Sequence, residues 1–325
     1  FRKNFLGILS FYYIFSVFLI SVFAYVIAPD NSLNANNMNL SIHSKKPGFN
    51  VTMIVQKSVN KNTFKSFFLG LENQENHIPV SSYEIKDDIV YYFPYDSSDT
   101  IIKTIKLSKV KIVDKKYFFG TDKFGRDVLS RIIIGSRISF YIGFISVLIS
   151  LIIGVTLGSI SGYYSGFVDK LIMWLINVTW SIPTLLLVIA ITLALGKGFW
   201  QVFIAVGLTM WVEVARIVRG QVKQYKERQF VVAANVMGFN DFKIITKHIL
   251  PNIVSPLIVI SAANFAASIL IESGLSFLGL GAQPPMTSWG LMIKDHYNYI
   301  ILGEPFLAII PGLCIMLLVS AFMIL

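Results

Sequence analysis

The residues able to do chemistry are few in this chain, and their spacing argues against catalysis. His43 and His77 stand alone, and His248 has no second ligand at helical spacing, so no metal set is suggested. Nothing places a nucleophile beside a base. Cys314, the single cysteine, lies in an apolar run, which leaves neither an internal disulfide nor a thiolate cluster. No GxxxxGK[ST] loop is present to cradle a nucleotide's phosphates. What remains is charge in unusual places. Glu272 sits inside an apolar block, where a carboxylate costs about 2.5–3.5 kcal/mol on insertion scales. It is either a structural group bonded to a neighbouring helix or a group with a direct functional role. Asp127 and Arg131 become i,i+4 partners if their segment is helical, and with Arg126 they are read as architectural. Glu213 with Arg216, and Asp169 with Lys170, read as solvated charges at helix ends.

The elements that hold these groups are those of a polytopic membrane protein. The chain has 325 residues, 54% hydrophobic and 14% charged, with a mean hydropathy of +0.65. A soluble domain carries about 25% charged residues, and a disordered one needs low hydrophobicity and high charge. Apolar blocks at about 5–28, 138–159, 171–195, 199–218, 253–280 and 305–325 predict six spanning helices, each long enough to cross a hydrocarbon core about 30 Å thick. Pro183 is expected to kink the third, and Gly154 with Gly158 forms a small-xxx-small pair for helix packing. Trp174, Trp180, Trp200, Trp211 and Trp289 suit membrane interfaces or helix packing. Arg2 and Lys3 precede the first block, but its length exceeds a usual signal core, so it reads as a retained helix. The net charge of +10 fits loop charges that orient the chain and meet anionic lipid, rather than nucleic acid as a partner. Beginning at Phe1 and stopping at Leu325 inside an apolar run, the sequence reads as a fragment lacking a few residues in front and a short tail behind.

Residues 30–117 are a different material. NVTMIV at 50–55, IVYYF at 89–93 and TIIKTIKLSKVKIV at 100–113 carry the signature of half-buried strands. The expected organisation is therefore a first membrane helix at 1–29, a β-rich insert at 30–117, and a core of five further helices at 118–325. Short loops orient the chain, whereas long ones cross regardless of charge. The stretch 216–247 carries seven basic residues, against Lys197 and Lys294 in the flanking loops. This places 216–250 and both termini in the cytoplasm, and the insert outside.

The stretch 229–252, QFVVAANVMGFNDFKIITKHILPN, carries the most information. Phe230, Ala233, Ala234 and Met237 recur at i, i+3, i+4, i+7, the apolar stripe of a short amphipathic helix. Gly238 follows where a left-handed C-cap sits, and Asn240 is suited to cap a second helix presenting Phe242, Ile245 and Ile249. Pro251 closes the pattern. On physical grounds alone this helix–turn–helix is either an interfacial hairpin on anionic lipid or a docking element for a soluble partner's groove.

Three motifs then carry a resemblance. Ala233, Ala234, Gly238, Leu250 and Pro251 look like the cytoplasmic EAA loop of binding-protein-dependent ABC importer permeases. The Glu that names the motif is Val232 here, so any ion pair made from that position is absent. FFGTDKFGRDVLSRIIIGSRISF at 118–140 resembles the GTDxxGRDVLSR segment of the dipeptide, oligopeptide and nickel permeases. ESGLSFLGLGAQPPMTSWG at 272–290 is similar to the ESxLSFLGLGxxPPxxxWG run of the same group. The likeness covers about 118–325. It implies an all-α polytopic permease of the type I ABC importer kind in the cell membrane, forming half of a translocation pathway for peptides or nickel. It also implies a second permease, two ATPases and an extracytoplasmic solute-binding protein as partners. ATP and Mg would bind those ATPases, with no cofactor in this chain. The ATPase-coupling loop would be 219–252, with Ala233, Ala234, Gly238, Asn240, His248, Leu250 and Pro251 at its working turn. Glu272, Pro183, Arg126, Asp127 and Arg131 would be pathway or architectural residues. The alternative is a secondary transporter driven by an ion gradient, which calls for inverted repeats and paired ionisable residues at the midplane; the sequence shows neither.

Overall fold

The computed structural model describes residues 5–56, 70–71, 76–95, 102–196 and 198–325. Arg2, Lys3, Thr100, Ile101 and Lys197, used above, lie outside the described residues. The chain separates into two compact units: residues 16–138 with 283–314, and residues 1–15, 139–282 and 315–325.

The first unit holds a five-stranded antiparallel sheet of order β4-β3-β2-β1-β5, built from β1 Phe49–Gln56, β2 His77–Lys86, β3 Ile89–Pro94, β4 Lys103–Lys106 and β5 Val110–Tyr117. The β2–β3 hairpin turns through Asp87 and Asp88, both at positive φ (49° and 60°), the geometry of a two-residue type I′ loop that Asp tolerates. Ile54, Val80, Val90, Tyr92 and Val110 form one small core of the sheet, while Val51, Met53 and Tyr117 with Ile42 form another. Strand alternation explains the division, since Met53 and Ile54 point to opposite faces of β1 and both are buried. The sequence signals at 50–55 and 89–93 fall on β1 and β3. The stretch 100–113 is split by a 3₁₀ turn at Leu107–Lys109, and β2 carried no signal because Pro79, two serines and a register shift between Val80 and Ser82 break its alternation.

Helices make up most of the rest. They are α1 Phe5–Val22, α2 Val128–Tyr164, α3 Gly166–Trp180, α4 Thr184–Leu195, α5 Phe199–Lys226, α6 Gln229–Val236, a continuous segment α7 Asp241–Phe277, α8 Trp289–His296 and α9 Phe306–Ile324. Five of them, α1, α2, α5, α7 and α9, are long and apolar enough to cross a membrane, and α3 with α4 makes a sixth if the bent pair is one span. That pair is bent by 91°, so the kink expected at Pro183 is a sharp corner. Pro183 lacks an amide hydrogen and stands as the cap residue before α4, while Ser181 folds back onto the end of α3.

Within the second unit, glycine sets how closely helices approach. A Cβ at Gly154, Gly158 or Gly162 of α2 would lie 2.5 to 2.7 Å from Val214 or from the carbonyls of Ala215 and Arg219 on α5. Three small residues spaced by four thus form a flat stripe on which α5 rests, more extended than the single pair read from the sequence. The valines Val214, Val218 and Val222 carry that contact onward to Val231, Ala234, Ile244, Ile249 and Ile253.

Candidate functional site

The stretch around Gly238 is anchored by its short apolar residues. In α6 the buried pair is Val231 and Ala234, and the remaining apolar side chains face out. This corrects the expected stripe: of Phe230, Ala233, Ala234 and Met237, only Ala234 is buried. Val231 and Ala234 are i,i+3 neighbours that fit the tight packing against α5, leaving the bulkier Phe230 and Met237 outside. In the second helix the buried residues are Ile244 and Ile249, with Phe242 76% exposed. The reason is a π-turn over Ile244–Ile249, in which residues five apart share a face.

The turn itself has the predicted backbone. Gly238 has φ of 78°, its N–H donates to Asn235 O (3.0 Å), and the Phe239 N–H donates to Ala234 O (3.2 Å). This is the Schellman pattern, which satisfies carbonyls that the end of α6 would otherwise leave open. The Asn240 side chain accepts from the Lys243 amide at 2.9 Å and so caps α7. Pro251 does not close the helix: it opens a 3₁₀ turn at Leu250–Ile253, and α7 continues to Phe277. A proline in the first turn of such a segment forfeits no needed donor. His248 stacks on Phe239 with centroids 5.7 Å apart, and Lys243 Nζ lies 3.9 Å from that ring's centroid. Polar ties fix the base of the loop, where Lys226 donates to Tyr163 O (2.6 Å) and the Tyr163 hydroxyl donates to Asp241 (2.9 Å). An apolar shelf of Phe230, Val232, Val236, Met237 and Phe242 is left facing outward.

Nearby charges pair otherwise than expected. Asp169, expected as a solvated helix-end charge, takes a bidentate bond from Arg219 (2.6 and 2.7 Å) and one from Ser161. Arg216 stacks over the Trp180 ring at 3.6 Å and reaches Asn177 at 3.4 Å. Glu272 is fully buried and accepts from Ser276 Oγ at 2.6 Å, one turn along its own helix. Ser276 Oγ in turn accepts from the Ala282 amide (3.2 Å), so this carboxylate braces the turn that follows α7.

In the other unit, Arg126 and Arg131 do meet, through a residue the sequence reading passed over. The hub is Asp122, buried like its partners. It accepts from Arg126 Nε (2.7 Å) and from the amides of Phe124 and Arg126, with Arg131 Nε at 3.6 Å and His296 Nε2 at 3.9 Å. The expected Asp127–Arg131 pair does not form. Asp127 instead caps α2, accepting from the Ser130 amide (3.2 Å) and the Ser130 hydroxyl. Burial raises the Asp127 carboxyl above the usual carboxylate range, against the pull of those bonds, and burial lowers His296, against the attraction of Asp122. The spacing Asp122 to Arg126, four residues in a loop closed by Gly125 at positive φ, was the available clue.

Comparison with known proteins finds relatives of this chain. A family model described as "Binding-protein-dependent transport system inner membrane component" matches residues 154–325. The chain is similar to a dipeptide transport system permease protein of Bacillus subtilis, 41% identical over 209 residues that span 64% of this chain and 65% of that one. It is similar to the dipeptide permease protein of Alkalihalophilus pseudofirmus, at 37% over 234 residues, 72% of this chain and 77% of the relative. A glutathione transport system permease protein of Pectobacterium atrosepticum is 41% identical over 206 residues, 63% of this chain and 68% of its own. None of these findings lends support to a carrier driven by an ion gradient.

Proposed function

The chain belongs to the binding-protein-dependent transport inner-membrane component family, and on that premise we propose that it is the permease half of an ATP-driven peptide importer. The relatives' names speak for dipeptides and glutathione as solutes. In this reading a second permease completes the pathway, two ATPases bind ATP and Mg beneath it, and a solute-binding protein delivers cargo from outside. The N-terminus and the loop 219–252 lie in the cytoplasm, the insert at 30–117 lies outside, and the core runs from 118 to 325.

The observation that carries the proposal is the outward shelf beside Gly238. Exposed Val236, Met237 and Phe242, at 84%, 65% and 76%, stand on a base fixed by buried Val231, Ala234, Ile244 and Ile249. Apolar surface of that kind, rimmed by Lys243 and Lys247, fits a groove on a soluble partner. Because its base is continuous with the valines of α5, movement of a docked ATPase reaches the helices as a rigid-body displacement. Nucleotide bound in the partner supplies the free energy.

Affinity purification of the tagged full-length protein from native membranes, with ATPase activity assayed, tests this. Recovery of two ATPase chains and a sister permease is expected. Gly238→Asp should insert at normal abundance yet lose peptide uptake and the ATPases, because Asp, which this backbone conformation tolerates, brings a charge to the apolar shelf. Wild-type uptake by that variant would sink the assignment of the coupling loop.

A further inference from the structure

A cavity of about 160 Å³ lies at the corner between α3 and α4, walled also by α5 and α7. Its volume is close to the roughly 150 Å³ of an apolar cavity known to hold a benzene-sized guest. This one is not apolar. Thr179 and Thr184 flank the corner, Glu213 comes from α5, and Asn264 from α7. Asn264 is 2% exposed, and its Nδ2 has no hydrogen-bond partner among the described residues. A buried amide donor left open is costly, and in native structures it is normally met by a guest or a water.

The depth of the cavity says what its mouth faces. Glu213, expected as a solvated helix-end charge, instead stands exposed in the middle of α5, and fourteen residues of helix from Phe199 amount to roughly 21 Å. An exposed carboxylate at that depth is expensive against hydrocarbon, so the face that bears it meets water. Arg216, one turn on, is engaged by Trp180 and Asn177.

We propose that this cavity is a solute subsite within the translocation pathway, taking one residue of a short peptide. Asn264 Nδ2 donates to a peptide carbonyl, and Glu213 receives the terminal ammonium at the mouth. The inference rests on the importer reading and adds to it a place where cargo pauses. The sharp corner at Ser181–Pro183 brings the end of α3 and the start of α4 into the wall of the cavity, through Trp180, Ile182 and Thr184.

The test uses the assembled complex in proteoliposomes, with Cys314→Ser as background. A charged, membrane-impermeant methanethiosulfonate should label Thr184→Cys at least about tenfold faster than Leu186→Cys, which is exposed on the same helix away from the cavity. Uptake of labelled dialanine should fall about tenfold or more in Glu213→Gln and in Asn264→Leu, the loss expected of a hydrogen bond to a charged or buried partner. Normal membrane abundance and co-purification of the ATPases in both variants show that the complex still folds and assembles. Equal labelling of the two cysteines, or wild-type uptake in both variants, would overturn the subsite. Should the wild-type complex import no dialanine while Thr184→Cys still labels fast, the peptide reading itself would be what fails, and with it the proposed occupant.

Discussion

Two turns in the second unit share one backbone solution and differ in everything around it. After α6, Gly238 at φ 78° sends its N–H to Asn235 O, and Phe239 sends its own to Ala234 O. After α7, Gly279 at φ 80° donates to Ser276 O (3.0 Å) and Leu280 to Leu275 O (2.8 Å), the same Schellman pair. A Cβ added at Gly238 would meet nothing within 4 Å, whereas one at Gly281, just past the second turn, would lie 2.1 Å from Ser276 Oγ. Phe239 stands between a lysine and a histidine at the edge of the shelf, while Leu280 packs against the buried cluster of Val202, Val206 and Leu275. The backbone motif therefore ends a helix and says nothing about use. What the neighbours do decides whether the turn presents a surface or seals a core.

The largest effect should come from breaking the sealed turn. Gly281→Val would push a branched side chain into Ser276, whose Cα and N both lie 2.7 Å from the new Cβ, and backbone cannot yield as a flexible side chain can. A loss of about 3 kcal/mol or more is expected, at the upper end of overpacking costs. It would be read as absence of the full-length protein from membranes or a collapsed melting transition in detergent. Normal abundance of this variant would mean that the turn is looser than its contacts imply.

A smaller loss should follow Ser276→Ala. That hydroxyl donates to Glu272 and accepts from the Ala282 amide, so its removal takes a donor from a buried carboxylate and the partner from a buried N–H. Destabilisation of about 1–3 kcal/mol follows, measured as a lowered melting temperature of the purified protein. An unchanged transition would show that Glu272 does not brace this turn.

Much of this architecture was legible in the sequence, for identifiable reasons. Long apolar blocks, Gly238 and Asn240 each reflect a local requirement: membrane thickness, a positive φ, an unpaired amide. The inward face of the loop was not legible, because α6 is apolar nearly all round and its periodicity favours no side; packing against Val218 and Val222 chose Val231 and Ala234. The π-turn likewise shifted the buried face from Phe242 and Ile245 to Ile244. Charge pairing was the least legible. Asp169 and Arg219 lie fifty residues apart, and Asp122 draws in Arg131 from the helix that follows it and His296 from far along the chain. Proximity in sequence suggested Asp127 as the partner of Arg131 and left Asp169 a solvated helix-end charge, and tertiary contact overrode both.

The smallest effect belongs to the open turn, and it sharpens the comparison most. Gly238→Ala adds a methyl group into free space, so its cost is confined to holding an alanine at positive φ, about 1–2 kcal/mol. Gly238→Asn, a residue that visits this region more readily, should cost less still. Both variants keep the shelf uncharged, so peptide uptake by the assembled complex should stay near wild type while the melting temperature falls slightly for alanine and less for asparagine. Thermal unfolding and uptake measured on the same preparations check both halves. A drop for Gly238→Ala as large as that for Gly281→Val would mean that the turn is buried in the assembled protein, and the contrast between surface and seal would fail. If uptake is lost with stability intact, backbone shape rather than charge carries the coupling, and the effect of Gly238→Asp would have to be assigned to the bend itself.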